Sequence, residues 1–403
     1  MNPYILQAGE GVAGFDAVVK ASRTSTGGHL SVIESRTKGG APWHVHSRED
    51  EYFYVALILG LMAVVGAVFS GLIVESRTSI PTRVALIPTR ETNQDGPPAA
   101  QSTSLPGKGL KQHPFLYCGE WDTRKPVQTM YIVRGGKVVW SYSVPNKDEL
   151  DDCHMLSNSH VLFARKNGAT EITQEKKVVW NYDAPPGTEI HSAQPIGKDR
   201  VLFMQNGTPA KLILMNKTAG AIEMEQVVVT ARPDDPKSVH GQFRHVRMTN
   251  AGTYLVAHLN MGKVVEYDKN WKEIWSCPAP SAWAAVRLKN GNTVISGNQH
   301  GYVREVNSKG EIVWELKKDD LPGFPLHVVQ EVSRLKNGNT VICNWSGFLK
   351  KPEWPTVFQI IEVTPDKREV WALREWLDPD LGPASSIQLL DEPGKAEKGE
   401  LQR

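Results

Sequence analysis

The sequence lacks an excess of either charge. Its 46 Lys and Arg offset 44 Asp and Glu, for a net of +2 over 403 residues. No broad field is left to capture nucleic acid or an anionic membrane surface, and nucleic acid is excluded as an expected partner. Cysteine is scarce: Cys118, Cys153, Cys277 and Cys343 lie far apart with no C-x-x-C spacing. That pattern excludes a zinc knuckle and a redox pair and leaves buried free thiols as the expectation. What the chain has instead is 34 Gly and 12 Trp, the combination required by a repeat built from tight turns and one aromatic anchor per unit.

The repeat is visible from residue 111 onward. GKVVWSY (136–142), KKVVWNY (176–182), KEIWSC (272–277), GEIVWEL (310–316) and REVWALR (368–374) are alternating strands that reach Trp140, Trp180, Trp275, Trp314 and Trp371 at one repeated position. AIEMEQVVV (221–229) stands in for the third copy. A Trp recurring at one place is expected to pack between units rather than to touch a cofactor. A second element follows each of these strands, as in QPIGKDRVLFMQ, VRLKNGNTVISG and SRLKNGNTVICN, where an apolar residue, a tight turn and a β-rich run describe a hairpin.

Counting strands gives the architecture. Four-strand units fit 151–182, 190–229, 240–276, 283–315 and 328–372, leaving SSIQLL (385–390) at one end and FLYCGEW (115–121), MYIVR (130–134) and KVVWSYS (137–143) at the other. One C-terminal and three N-terminal strands complete a sixth unit. The expectation is an all-β, six-bladed β-propeller over 111–393, followed by a tail at 394–403, with no open sheet edge at the seam.

The VVW strands and the NKTAG turn (216–220) resemble the quinoprotein-type propeller superfamily, the PQQ-like repeat. The NGN-plus-VW pattern resembles its arylsulfotransferase-related branch. Quinone-binding members set adjacent cysteines and a calcium site against the cofactor; no Cys-Cys pair exists here, which argues against pyrroloquinoline quinone.

Residues 1–55 resemble the first half of a cupin, through His44 and His46 alternating on one strand face and Glu51 following within GGAPWHVHSREDEYFYV (39–55). The resemblance implies a divalent metal such as Mn, Fe, Ni or Zn. The second cupin motif, with its further His, is absent, so the set is read as vestigial. The cupin-like segment is taken as 1–53. Residues 54–74 carry no charge and are long enough to cross a hydrocarbon core as a helix, so they are expected to be a membrane anchor. Anchoring implies an exported propeller, periplasmic or extracellular, whereas Arg77, Arg83 and Arg90 after the span argue for the opposite orientation. The stretch 75–110 reads as a linker rich in Pro, Gly, Ser and Thr.

In a four-stranded blade, the 1–2 and 3–4 turns share one face, while the 2–3 loops and blade-to-blade connections share the other. The first set here is short and generic (SNSH, GKDR, KNGN, NSKG). The second is chemically rich, with Trp121, His258, Asn298, His300 and Trp345, which places the expected site on that upper face. Aligning the inner strands brings Asp151, His191, Trp283 and Gln330 to one level, with Asp152, Arg244 and Glu331 next and His154, Gln194 and His245 close behind. These groups suit a mouth for a small molecule, a glycan or a protein partner. The competing reading is enzymatic. Arylsulfotransferase-like chemistry needs a His nucleophile and Arg stabilisation, supplied by His191, Arg244, His245 and His300. A lyase or hydrolase would use Asp151 or Asp152 with His154 or His191 as an acid–base pair.

Overall fold

The computed structural model describes residues 105–403, together with the backbone of three short strands, β1 (Val12–Gly14), β2 (Ala17–Ala21) and β3 (Val32–Ser35). The chain divides into two compact units, residues 1–94 and 95–403. In the first, β1, β2 and β3 form an antiparallel sheet in that order. The cupin-like ligands His44, His46 and Glu51 and the apolar stretch 54–74 lie outside the described residues. Among the described residues, no helix is long and apolar enough to cross a membrane.

The second unit is a ring of six four-stranded antiparallel sheets. Blade I contains β4 (Phe115–Gly119), β5 (Val127–Arg134) and β6 (Lys137–Pro145). Blade II is β7 (Leu150–Met155), β8 (Val161–Arg165), β9 (Gly168–Ile172) and β10 (Val178–Asp183); blade III is β11 (Glu189–Ile196), β12 (Arg200–Asn206), β13 (Ala210–Asn216) and β14 (Ala221–Val228). Blade IV runs through β15 (Phe243–Met248), β16 (Tyr254–His258), β17 (Lys263–Tyr267) and β18 (Glu273–Pro278). Blade V follows as β19 (Ala285–Arg287), β20 (Thr293–Ser296), β21 (Val303–Val306) and β22 (Ile312–Leu316). Blade VI is β23 (Val328–Arg334), β24 (Thr340–Trp345), β25 (Ile360–Val363) and β26 (Glu369–Leu373). The last strand, β27 (Ala384–Leu389), pairs antiparallel with β4 and becomes the innermost strand of blade I. The one-plus-three closure expected from the strand count is therefore present.

Burial explains why the blades stand as a ring. Among the described residues, one cluster of buried apolar side chains fills each of the six blade–blade interfaces. All four cysteines are free and buried in them. Most of the exposed apolar β-branched residues lie along the outermost strands, as at Val139, Val179 and Val313.

The repeated Trp acts at these interfaces. Opposite Trp180, Trp275, Trp314 and Trp371, the third strand of the same blade carries Glu171, Glu266, Glu305 and Glu362. Each glutamate receives a cationic side chain from the next blade or its lead-in: Lys217, Arg287, Arg334 and His113, respectively. Arg287 and Arg334 also lie over the rings of Trp275 and Trp314, 4.9 and 5.4 Å from their centroids. The indole N–H of Trp140 and of Trp314 donates to a turn carbonyl of the following blade, Gln174 O and Pro365 O. The expected role as packing between blades is what the rings perform.

The linker expected over 75–110 ends early. Ala372 N donates to Pro106 O, the Trp371 indole donates to Gly109 O, and Leu105 packs on the blade V–VI core. Gly107 (φ +82°) lies so close to blade VI that a Cβ there would come within 2.9 Å of Val370 O. The tail is ordered as well: Gly197 N donates to Glu397 O and Arg334 N to Gln402 O, so residues 394–403 cross the face of the 1–2 turns.

Trp371 is fully buried, whereas Val313 is 53% exposed. Trp371→Ala is expected to cost about 3–5 kcal/mol in chemical denaturation, against less than ~0.5 kcal/mol for Val313→Ala. Equal losses would show that the repeated Trp does not lock the blades.

Candidate functional site

Six strands, β7, β11, β15, β19, β23 and β27, converge on the propeller axis. Each has one edge in the sheet and one edge facing the channel, where its N–H groups need partners. The next blade round supplies a backbone to fill, and channel-facing side chains fill it. Asp152 accepts from Ala193 N (3.1 Å), Gln194 from Met248 N (2.7 Å) and Glu331 from Ile387 N (3.2 Å). Ser386 accepts from Cys153 N (3.3 Å) and Gln388 from Met155 N (2.8 Å). His245 Nδ1 receives Ala285 N at 3.5 Å. Around the ring, side chains of one blade satisfy the inner edge of the following one.

A β-bulge makes two polar levels out of one strand. Five of the six inner strands hold one extra residue against their partner, at Asp151–Asp152, His191–Ser192, Arg244, Gln330–Glu331 and Ser385. The extra residue re-aims its neighbours, and the channel contents separate into two networks.

The lower network is a closed set of ion pairs. Arg247 donates to both oxygens of Asp152 (2.9 and 3.1 Å), and Arg403, delivered by the tail, donates to both oxygens of Glu331 (2.7 and 3.0 Å). Arg403 also donates to Cys153 O and to His154 Nδ1, both at 2.8 Å. That contact leaves the ring proton of His154 on Nε2, 3.1 Å from Asp152. Burial works against ionisation of Asp152, but Arg247, His154 and Arg403 outweigh it and hold its carboxyl well below the usual range. Burial and the neighbouring Arg403 push His154 down to about 4, although Asp152 opposes the shift, and burial with Arg247 keeps His245 well below an ordinary imidazole.

The upper network surrounds the mouth. His191 Nδ1 is 2.7 Å from Asp151 and its Nε2 is 3.0 Å from Glu189. The same Glu189 oxygen lies 2.8 Å from His240 Nδ1, and Arg244 Nη2 is 2.9 Å from His240 Nε2. Arg244 sits over the Trp283 ring, 5.1 Å from its centroid. Lys166 pairs with Glu149 (3.1 Å) and Glu189 (3.5 Å). Gln330 donates to buried Glu120 (3.0 Å), while the Trp345 indole donates to Glu120 O (3.3 Å). Burial and then the charges of Asp151 and Glu149 push the Glu120 carboxyl well above its usual range. Desolvation disfavours a charged His191 and so does Arg244; the contacts to Asp151 and Glu189 prevail and raise it. Glu189 is lowered because His191 and His240 outweigh its burial. Asp151 Oδ1 and Gln330 Oε1 are buried without a partner. Glu149 and Trp121 both have positive φ, 36° and 56°, at this rim.

The residues expected from the sequence thus separate. The mouth brings together Asp151, His191, Arg244, Trp283, Gln330 and Trp345. Trp121 stands at the rim, 39% exposed, and Asn298 is buried beside the start of β23. Asp152, His154, Gln194, His245 and Glu331 belong to the lower lock and the edge-capping ring. His300 is exposed on the flank of blade V, in a shallow depression of about 450 Å³ with Tyr302, Arg304 and Lys318, and does not join His191, Arg244 and His245. Another cavity, of about 280 Å³, lies under the tail between blades IV and V. The mouth is occupied by its own hydrogen-bonded side chains.

Glu149, Glu189, His240, Arg247 and Arg403 were missed from sequence. A signal existed for the first two: Glu149-Leu150-Asp151 and Glu189-Ile190-His191 occupy the same place in successive blades.

No protein-family model matches the chain, and no curated protein matches it. Among solved structures, a protein of unknown function from Bacteroides caccae is 23% identical, with a TM-score of 0.60, over 68% of this chain and 98% of that one. Virginiamycin B lyase from Staphylococcus aureus is 12% identical, TM-score 0.41, over 57% and 70%, and the WD40 β-propeller domain of Doa1 is 13% identical, TM-score 0.40, over 55% and 73%. The first likeness agrees with the class defined by the sheets, a six-bladed β-propeller. The other two are too loose to bear on the site, and the quinoprotein and arylsulfotransferase resemblances carry nothing beyond the fold.

His154 links the lower network to acid stability. Its folded value, about 4, is below the ordinary 6.5, so the unfolded chain binds the extra proton between those limits. Stability is complete above pH 6.5 and falls on acidification at up to ~1.4 kcal/mol per pH unit for this group. His154→Gln, which can still accept from Arg403, is expected to flatten urea-unfolding stability between pH 6.5 and 4 by about one proton's worth. An unchanged slope would refute the assignment.

Proposed function

We propose that the propeller is a binding module that takes a small polar ligand or the end of a glycan at its upper mouth. The observation that carries this reading is the asymmetry of the channel. Its lower half is sealed by Arg403 and two bidentate ion pairs, while the upper half ends in carboxylates, Arg244 and partnerless acceptors beside aromatic rings. Glu149 and Glu189 suit hydroxyl donors, Arg244 suits an acceptor, and exposed Trp121 and Phe348 offer flat faces for a sugar ring. Because the side chains now bond to one another, a ligand must exchange those contacts, and Lys166 and half-exposed His240 are the ones it reaches from solvent.

Small molecules released on denaturing the purified full chain should be identifiable by mass spectrometry, and a glycan array should return binders. Trp121→Ala and Glu189→Gln should each weaken binding of such a ligand at least ~10-fold, about 1.4 kcal/mol. An empty, array-negative wild type would overturn the reading.

A second reading is enzymatic, favoured by the buried Asp151–His191 pair at 2.7 Å with Arg244 nearby. Turnover of aryl sulfates that disappears in the paired His191→Ala, His245→Ala variant would favour it over simple binding; a rate unchanged by that pair would exclude His-mediated sulfuryl transfer.

Residues 54–74 are proposed to tether the propeller to a membrane, on the strength of their length without charge. The full chain should stay with membranes through alkaline carbonate extraction and be released when 54–74 are deleted. Release of the intact chain would refute the tether.

A further inference from the structure

The upper mouth concentrates donors of a particular kind. Glu149, His191 and His240 each offer one ligand atom, and these atoms lie within 4.8 Å of one another, the one such group of three among the described residues. Donors around a tetrahedral ion with bonds near 2.1 Å are separated by about 3.4 Å, so modest side-chain rotation closes the set. A fourth donor is already between the rings: one Glu189 oxygen touches both His191 Nε2 and His240 Nδ1.

We propose that Glu149, His191 and His240, with Glu189 as fourth donor, form a site for a divalent transition-metal cation. Two imidazoles and two carboxylates select the Zn, Co, Ni or Mn class rather than the all-oxygen shell of Ca or Mg. His191 is oriented for the task. Nδ1–H donates to Asp151 Oδ2, 2.7 Å away, which leaves Nε2 facing the cluster, the carboxylate–histidine–metal arrangement. Asp151 is a positioning residue, and its other oxygen is buried with no partner. Besides Glu120, three carboxylates surround the mouth, Glu149, Asp151 and Glu189, and a dication would compensate charge that Lys166 and Arg244 now balance. Metal entry exchanges two contacts. Lys166 would leave Glu149, and Arg244, which now donates to His240 Nε2, would withdraw so that this nitrogen takes up the ring proton as Nδ1 gives up its own to face the metal; His191 Nε2 would release its proton to solvent. Arg244 stays anchored on Phe243 O (3.2 Å) and over Trp283.

This inference deepens the ligand reading and uses the same mouth, so the metal alone is the probe. The chelator-stripped full chain is titrated calorimetrically with Zn²⁺ and with Mn²⁺, in a His44→Ala, His46→Ala background that removes the cupin-like donors. One equivalent bound in that background is expected. His240→Gln, at a half-exposed position that folding tolerates, and Glu149→Gln should each weaken it at least 10-fold, and Asp151→Asn should weaken it 10- to 100-fold. No binding in the His44→Ala, His46→Ala background, or affinity unmoved by His240→Gln and Glu149→Gln, would overturn the site. Either result leaves glycan binding to be judged by its own assay.

Discussion

The open inner edge of each blade governs this propeller. Six strands meet at the axis with their channel-facing N–H groups unpaired by any sheet, and no water-poor core can hold such groups unsatisfied. Asp152, Gln194, Glu331, Ser386 and Gln388 each reach across to the next inner strand. These side chains must be polar for a structural reason, before any ligand is considered. Once acidic groups are placed there they need counter-charges, and Arg247 and Arg403 supply them. The tail is therefore part of the fold: it carries the guanidinium that neutralises Glu331.

That requirement is met differently along the axis. Below, Asp152 and Glu331 each have a bidentate arginine, and the atoms left without a hydrogen-bond partner are imidazole nitrogens, His154 Nε2 and His245 Nε2, rather than carboxylate oxygens. Above, the bulges at Asp151–Asp152 and His191–Ser192 present a second polar level that the ring does not need for capping. Its carboxylates and imidazoles bond to each other and to Lys166 and Arg244, leave Asp151 Oδ1 and Gln330 Oε1 unpartnered, and surround Glu120, whose carboxyl is pushed well above its usual range by burial. The proposed recognition rests on these groups at the upper end of the channel, which the ring does not need for capping.

Much of this was legible in order. The strand count gave the blade number and the seam, because alternation and turn residues are local signals that survive without neighbours. The recurring Trp announced packing, and its Glu and cationic partners follow from register. His191, Arg244 and Asp151 were found by aligning inner strands, a step that assumes one geometry for every blade. His300 came instead from the inventory of 2–3 loops, and it lies exposed on the flank of blade V, since a residue in such a loop can turn outward as readily as inward. Glu189 begins β11 and Glu149 stands just before β7, and both were passed over as loop termini. Arg403 carried no signal at all, because nothing in a tail's sequence states where it docks.

The sequence by itself determined the blades, their number, the closing strand and the face rich in chemistry, since period-two patterning and turn chemistry are properties of neighbouring residues. Only the tertiary structure decided which polar residues cap the ring and which are left over. That division depends on which blade follows which around the axis, on a one-residue bulge that turns Asp151 and Asp152 to different partners, and on a tail docked 72 positions in sequence from the glutamate it neutralises.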